Sequence, residues 1–246
     1  LSQAVTVLSG IDLDNRQIST FVDLSAIAPG VNVAKNEGFK TVITIRGVGY
    51  ETNQNAIATP SVSYHLDGIY VASPYSLQTD FLDIERVEVL RGPQGTLFGQ
   101  NSTGGAINVI TQAPTTDETY GSVDLTVGNY GLLKTRAFIN KPLSENVAMR
   151  ASFILNSREG FTENLTNGQD LDDADSVSAR VRLSYEPSDT FRANFMAQVF
   201  DEDRNGAAQK GIIDPTPDPR QLRQNSPTEH KLDAQLFSAI LEWDLK

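Results

Sequence analysis

The chain has 246 residues, a formal net charge of −11 and no cysteine. This length allows one large domain or two smaller ones, the lack of cysteine excludes disulfide scaffolds and thiol chemistry, and the acidity argues against nucleic acid as a partner. No apolar run approaches the roughly 18 residues of a transmembrane helix. No basic and apolar leader opens the chain, so we expect any signal peptide to have been removed already.

The first part of the chain alternates short strands with short helices. Apolar and β-branched runs predict strands at residues 4–8, 42–45, 62–66 and 69–71. Asp67-Gly68, between the last two of these, is a two-residue hairpin signal. Asp12 or Asp14 can cap one short helix, and Asp23 can cap another. Strands mixed with short helices in this way predict a small α+β domain that ends near Pro114.

Residues 83–111 are predicted to form a strand, a tight glycine-rich loop and a second strand. Pro93 stiffens the loop because its ring fixes one φ angle and removes a donor. Glycines permit the tight backbone that follows, at Gly92, Gly95, Gly99, Gly104 and Gly105. The spacing matches neither a dinucleotide fingerprint nor a phosphate loop, since no Lys-Ser/Thr pair follows. We therefore interpret the loop as a structural turn.

The pattern changes after Pro114, where apolar and polar residues alternate with a period of two. Six strands are predicted, at residues 121–127, 133–139, 147–155, 177–185, 191–199 and 237–245. This length and alternation are typical of a membrane β-barrel with apolar residues outside and polar residues inside, although a soluble antiparallel sandwich alternates in the same way. The barrel is favoured by arginines on the polar faces and aromatic residues at strand ends: Arg150, Arg180, Arg182 and Arg192, and Tyr185 and Trp243.

The connections between these strands alternate in length. Residues 141–146 and 186–190 are short, whereas residues 156–176 and 201–231 are long, polar and rich in glycine, proline, aspartate and asparagine. Short turns at one rim and long loops at the other are typical of outer-membrane barrels.

Four motifs occur in a fixed order in the first half of the chain. They are Pro29-Gly30-Val31-Asn32-Val33, Thr44-Ile45-Arg46-Gly47, Asp67-Gly68-Ile69-Tyr70-Val71, and the run from Arg91 to Thr111. Together they resemble the plug domain of TonB-dependent outer-membrane receptors. The resemblance implies an α+β plug domain at residues 1–115, followed at residues 116–246 by antiparallel transmembrane β-barrel strands.

In this family the barrel has about 22 strands, so the six predicted strands form only a partial barrel. We expect the chain to be a piece of a longer protein. We also expect that it does not insert alone, because an open edge in lipid leaves backbone groups unpaired.

The resemblance implies that the arginines of two motifs, Arg46 and Arg91, pair with barrel glutamates and hold the plug in the barrel. A guanidinium suits this role because it binds a carboxylate through two hydrogen bonds and stays charged when partly buried. The alternative is that either arginine faces solvent. Gly47 and Gly68 join the glycines of the loop as motif positions.

Ligand contacts are implied at two polar plug loops, residues 50–58 and 72–80. Aromatic and amide groups suit the recognition of a chelate, and the candidates are Tyr50, Asn53, Gln54, Asn55 and Tyr75. Ordinary loop polarity is the alternative for each of them.

Catalysis, a resident cofactor and a metal site are not predicted. His65 and His230 are far apart in sequence, and the aspartates between residues 170 and 175 fail the calcium-loop pattern because the fifth and twelfth positions are Ala174 and Val181. No catalytic constellation is apparent, so the protein is not expected to be an enzyme.

The resemblance implies an importer in the outer membrane of a Gram-negative bacterium, energised by TonB and the proton-motive force. The expected partners are TonB, outer-membrane lipid and a small-molecule ligand, of which a ferric siderophore is preferred; iron then arrives with the ligand. The segment that contacts TonB is expected before Leu1. Residues 156–176 hold one arginine against six acidic residues, which would not attract an anionic chelate. Cobalamin or an oligosaccharide, a signal transducer of the same architecture, and a soluble β-rich binding module therefore stay open.

Overall fold

The computed structural model describes residues 4–36, 40–49, 60–73 and 80–244. The chain divides into two compact units, Leu1–Gln112 and Ala113–Lys246. In the first unit, five strands form a mixed sheet in the order β1-β7-β8-β5-β6, namely β1 (Ala4–Ser9), β5 (Val62–Leu66), β6 (Ile69–Tyr70), β7 (Ile84–Arg91) and β8 (Gly105–Thr111). A smaller antiparallel sheet contains β2 (Val31–Asn36), β3 (Lys40–Ile45) and β4 (Val48–Gly49).

The helices of the first unit are short. They are α1 (Gly10–Asn15), a 3₁₀ helix (Val22–Ala26) and α2 (Gly95–Phe98). The cap of α1 differs from the predicted one, because Ser9 precedes the helix and exchanges hydrogen bonds with Asp12 as a capping box. Asp23 lies inside the 3₁₀ helix and accepts from the backbone N–H groups of Ser19 and Thr20.

The core of the first unit is aromatic and β-branched. Phe21 packs edge-on against Tyr64 and Phe81, with ring centroids 5.0 and 4.8 Å apart. Other fully buried side chains come from the central strands and the 3₁₀ helix: Leu24, Ile45, Val87, Val89, Ile107 and Val109. Each such side chain contributes about 1.5–3 kcal/mol by leaving water, so the central strands are the most protected part of this unit.

The predicted hairpin is confirmed. Asp67 (φ 51°) and Gly68 (φ 79°) form the turn between β5 and β6, as expected for a two-residue turn that needs two positive φ angles. The carboxylate of Asp67 also accepts from the backbone N–H and the hydroxyl of Thr111, both at 2.8 Å. The turn is thereby attached to β8.

In the second unit, six long strands form one antiparallel sheet in which neighbours in sequence are neighbours in space. They are β9 (Tyr120–Val127), β10 (Leu133–Ser144), β11 (Val147–Arg158), β14 (Ala174–Ser188), β15 (Phe191–Arg204) and β17 (His230–Trp243). All six predicted strands are present, and most run several residues beyond the segments predicted from alternation.

The two faces of this sheet differ in polarity. One face exposes large apolar side chains on every strand, including Val123 (75% exposed), Phe237 (69%) and Trp243 (71%). At the short-turn end, Phe191 lies between Tyr185 and Trp243, with ring centroids 6.5 and 5.9 Å away. A continuous apolar face of this size is rare in soluble monomers, and an aromatic row at its edge is typical of a membrane interface.

The two long connections fold together instead of remaining loops. Within them, β12 (Thr162–Asn164) pairs with β13 (Gln169–Leu171) and runs parallel to β16 (Gln221–Leu222). We call this three-stranded sheet and its turns the rim module (residues 159–173 and 205–229). Within the described residues, no helix has the length and apolar character needed to cross a membrane.

Candidate functional site

The glycine-rich loop after β7 closes on itself through backbone hydrogen bonds. The N–H of Gly92 donates to the carbonyl of Gly104 (3.1 Å), and that of Gln94 donates to the carbonyl of Ser102 (2.9 Å). The Ser102 hydroxyl donates to the Gly99 carbonyl at 2.6 Å. The loop contains α2, a single helical turn that the sequence interpretation missed. The loop is therefore an ordered structural element.

The motif glycines serve different backbone needs. Positive φ angles occur at Gly47 (78°), Gly68 (79°), Gly92 (86°), Gly99 (69°) and Gly105 (152°). At Gly105 a Cβ atom would also lie 2.4 Å from the Leu90 carbonyl oxygen, and at Gly104 it would lie 2.9 Å from Val48 Cγ1. Gly95 has neither constraint among the described residues.

Arg91 connects three segments of the first unit. Its Nε donates to the carbonyl oxygen of Pro29 at 2.8 Å, and its Nη2 donates to the hydroxyl of Thr6 at 2.7 Å. Pro29 precedes β2, and Thr6 lies in β1, which is an edge strand that pairs only with β7. The guanidinium is thus a brace inside the unit, a role that the sequence interpretation did not assign.

Arg46 has a different environment. Its backbone has a φ of 52°, and its N–H donates to the carbonyl of Gly30 at 2.7 Å. The side chain is exposed, and its guanidinium makes no hydrogen bond or ion pair with any described residue. The two arginines that the motifs treat alike are therefore distinct in structure. Their pairing with barrel glutamates remains a proposal.

The five candidate ligand contacts, Tyr50, Asn53, Gln54, Asn55 and Tyr75, lie outside the described residues. His65 is buried in β5, and its ring packs edge-on against Phe98 of α2 at 4.8 Å. Burial lowers the pKa of His65, so its ring is neutral at neutral pH. Among the described residues, no group of histidine and acidic side chains could hold a metal ion.

The polar face of the long sheet carries the arginines predicted for it. Arg180 donates from Nε and Nη2 to Gln198 Oε1, at 2.9 and 2.8 Å. Arg150 donates to the Tyr120 hydroxyl at 3.0 Å, and its Cζ lies 4.0 Å from the centroid of the Phe138 ring. Planar guanidinium groups can stack and donate at once, which gives this face an ordered cationic surface.

The rim module is fastened by a buried asparagine. Asn164 is fully buried; its Nδ2 donates to the Gln224 carbonyl at 2.9 Å, and its Oδ1 accepts from the N–H groups of Thr166 and Gln224, both at 3.1 Å. Gln169 makes a similar two-way contact with the backbone of Thr228, at 2.6 and 3.1 Å. The two long connections are therefore one folded unit.

Acidic residues of the rim module bind its own backbone. Asp172 accepts from the Thr162 hydroxyl (2.6 Å) and the Ala208 N–H (2.9 Å), and Asp173 accepts from the Asn205 N–H (2.9 Å). Burial raises the pKa of Asp173 despite these bonds, whereas hydrogen bonds from Thr216 lower the pKa of Asp214 to about 2. The count of acids in residues 156–176 therefore overstates the negative charge available to a ligand.

Replacing Asn164 by alanine is expected to loosen the rim module by about 2–4 kcal/mol, because it leaves buried backbone groups of the two connections without partners. The measurement is the rate of protease cleavage within residues 205–229 of the full-length protein. Asn167→Ala is the control, since Asn167 accepts only a local hydrogen bond, from the Gln169 N–H at 3.0 Å. Equal cleavage rates in the two variants would contradict the role given to Asn164.

Residues 1–106 match the family described as the TonB-dependent Receptor Plug Domain. The pesticin receptor of Yersinia pestis is 27% identical over 260 residues, covering 97% of this chain and 37% of that protein. The vitamin B12 transporter BtuB of Vibrio vulnificus is 27% identical over 215 residues, covering 83% of this chain and 31% of that protein. The crystal structure of the ferric yersiniabactin uptake receptor FyuA from Yersinia pestis superimposes with a TM-score of 0.83 at 25% identity, over 96% of this chain and 38% of that one.

A plug sheet with a closed glycine-rich loop, followed by a two-faced antiparallel sheet, defines a receptor and not an enzyme. The chain belongs to the TonB-dependent receptors: it contains the plug domain and antiparallel strands that match those of the receptor barrel. It spans little more than a third of the length of the relatives that it matches.

Proposed function

We propose that the chain is part of an outer-membrane importer that takes up a ferric siderophore, driven by TonB and the proton-motive force. The proposal rests chiefly on the likeness to FyuA, which extends over 96% of the chain and includes both units. The exposed apolar face with its aromatic row supports a lipid environment. This face also argues against a soluble β-rich module.

Cobalamin is the second candidate ligand, because the relative from Vibrio vulnificus is a vitamin B12 transporter at the same 27% identity as the pesticin receptor. The second relative covers less of this chain, 83% against 97%. A ferric chelate is therefore the preferred cargo.

The test is uptake by the full-length receptor in a bacterium that lacks its own siderophore and cobalamin receptors. Radioactive iron is supplied as a panel of ferric chelates, and radioactive cyanocobalamin is supplied separately, each with and without a functional TonB. TonB-dependent accumulation of iron with no accumulation of cobalamin is expected. Accumulation of cobalamin alone would establish the second candidate, and equal accumulation without TonB would refute energised import.

A further inference from the structure

Two arginines of the rim lie on one aromatic pair. Tyr130, in the turn between β9 and β10, and Phe161, just before β12, have ring centroids 5.9 Å apart. The Cζ of Arg158 lies 4.9 Å from the Phe161 centroid, and the Cζ of Arg220 lies 5.6 Å from both centroids. Three separate segments of the chain thus meet at one cationic and aromatic cluster, which we call the rim arginine cluster.

Local hydrogen bonds hold this cluster in place. Arg220 donates from Nη1 to the Tyr130 hydroxyl, and Arg158 donates from Nη2 to the Asp172 carbonyl oxygen. The Glu159 N–H donates to the Tyr130 carbonyl at 2.9 Å, which joins the end of β11 to the turn. The cluster is therefore built into the rim and is not a chance approach of two flexible side chains.

Neither arginine of the cluster forms a salt bridge with a described residue, whereas Arg204 of the same rim pairs with Glu202 at 2.8 Å. Arg158 Nε is buried and has no hydrogen-bond partner among the described residues. The nearby Asp172 and Asp173 direct their carboxylates to the backbone and hydroxyl donors of the rim module. An acidic stretch of sequence thus presents two cations that its own carboxylates do not neutralise by direct pairing.

The chemistry of the cluster fits an anionic ligand with a planar, aromatic or chelating part. A guanidinium that stacks through its face keeps N–H donors along its edge, where they match the paired oxygens of a carboxylate or a catecholate. Tyr130 and Phe161 add an aromatic surface for the ring of such a ligand. Arg158 has the same strand parity as Arg150 and Ser152, so it extends the polar face and not the apolar one.

We propose that Arg158 and Arg220, stacked on Phe161 and Tyr130, form a binding site at the rim for an anionic ferric chelate. This inference rests on the proposed import of a ferric siderophore and assigns that siderophore a negative charge. It replaces the expectation from the acid count, which left neutral and cationic ligands open. Two arginines on one aromatic ring allow one polyanionic ligand to contact both.

The test measures binding to the purified full-length receptor by quenching of tryptophan fluorescence. The probes are the anionic ferric complex of dihydroxybenzoate, the cationic ferric complex ferrioxamine B, and iron-free citrate. The variants are Arg158→Gln and Arg220→Gln, and Arg223→Gln serves as the control because it removes the same charge from an exposed arginine of the same connection that contacts neither ring. Arg220 is itself exposed, so its replacement tests the site without disturbing a buried contact.

We expect wild-type receptor to prefer the anionic ferric probe, and Arg158→Gln and Arg220→Gln each to weaken its binding about tenfold, as for loss of one charge-assisted contact. Arg223→Gln should change the affinity by less than about twofold, which is the range of a distant screened charge. Unchanged affinity in both cluster variants, or equal weakening for the cationic probe, would overturn the site.

The same experiment separates the site from the proposed import. Binding of ferrioxamine B without binding of the anionic chelate overturns the anion site and leaves import of a ferric siderophore standing. Citrate binding that depends on Arg220, in a receptor that transports no ferric chelate, supports the anion site and refutes the proposed cargo. A wild-type receptor that binds none of the three probes overturns the anion site directly.

Discussion

Replacement of Gly105 by alanine is expected to destabilise the plug domain by roughly 2–5 kcal/mol. Gly105 has a φ of 152°, which residues with a side chain rarely adopt, and the new Cβ would lie 2.4 Å from the Leu90 carbonyl oxygen and 2.8 Å from Ile45 Cδ1. The Leu90 oxygen belongs to β7, so it cannot move without disturbing the pairing of β7 and β8. Both effects act on the centre of the plug sheet.

Gly95→Ala is the matched control within the same loop. Gly95 is the first residue of α2, and nothing among the described residues lies within 4 Å of a Cβ built there. Alanine should leave stability unchanged or raise it by about 0.4–1 kcal/mol through the unfolded state. Hydrogen exchange of the β7 and β8 amides in the full-length receptor measures both variants. Equal exchange in the two would show that the close approach at Gly105 can relax.

Features set by neighbouring residues could be predicted from the sequence. A period of two located all six long strands, because alternation between two faces is a local property of each strand. Asp67-Gly68 located a hairpin, since only a few residue types accept two positive φ angles. The capping box was equally local: Ser9 and Asp12 have its spacing, but the interpretation considered only aspartate as the cap.

Features set by distant pairs could not be predicted in this way. Arg91 reaches Thr6 across 85 positions, and Arg220 reaches Tyr130 across 90. Glu163 pairs with Gln221 in a parallel register that no periodicity in either connection specifies. Counting charges along residues 156–176 failed for the same reason, because the count could not tell that Asp172 and Asp173 bind backbone and hydroxyl donors.

Arg91→Ala is expected to destabilise the edge of the plug sheet by about 2–4 kcal/mol, because hydrogen bonds from a charged group contribute roughly 1.5–3 kcal/mol each. It removes two such bonds, to Pro29 and to Thr6. Since β1 pairs only with β7, the expected result is faster hydrogen exchange along β1 with little change in β8. Arg46→Ala is the control, and its exposed guanidinium predicts no change in exchange.

Thr6→Val distinguishes the internal brace from the proposed pairing of Arg91 with a barrel glutamate. The substitution removes one acceptor but keeps the guanidinium and its charge, and valine suits a strand as well as threonine does. If Arg91 acts mainly inside the plug, Thr6→Val should reproduce about half of the faster β1 exchange seen in Arg91→Ala. If the pairing with the barrel dominates, Thr6→Val should behave as wild type in both exchange and uptake, while Arg91→Ala alone loses function. The two variants thus turn a motif arginine with two candidate partners into one with a measured partner.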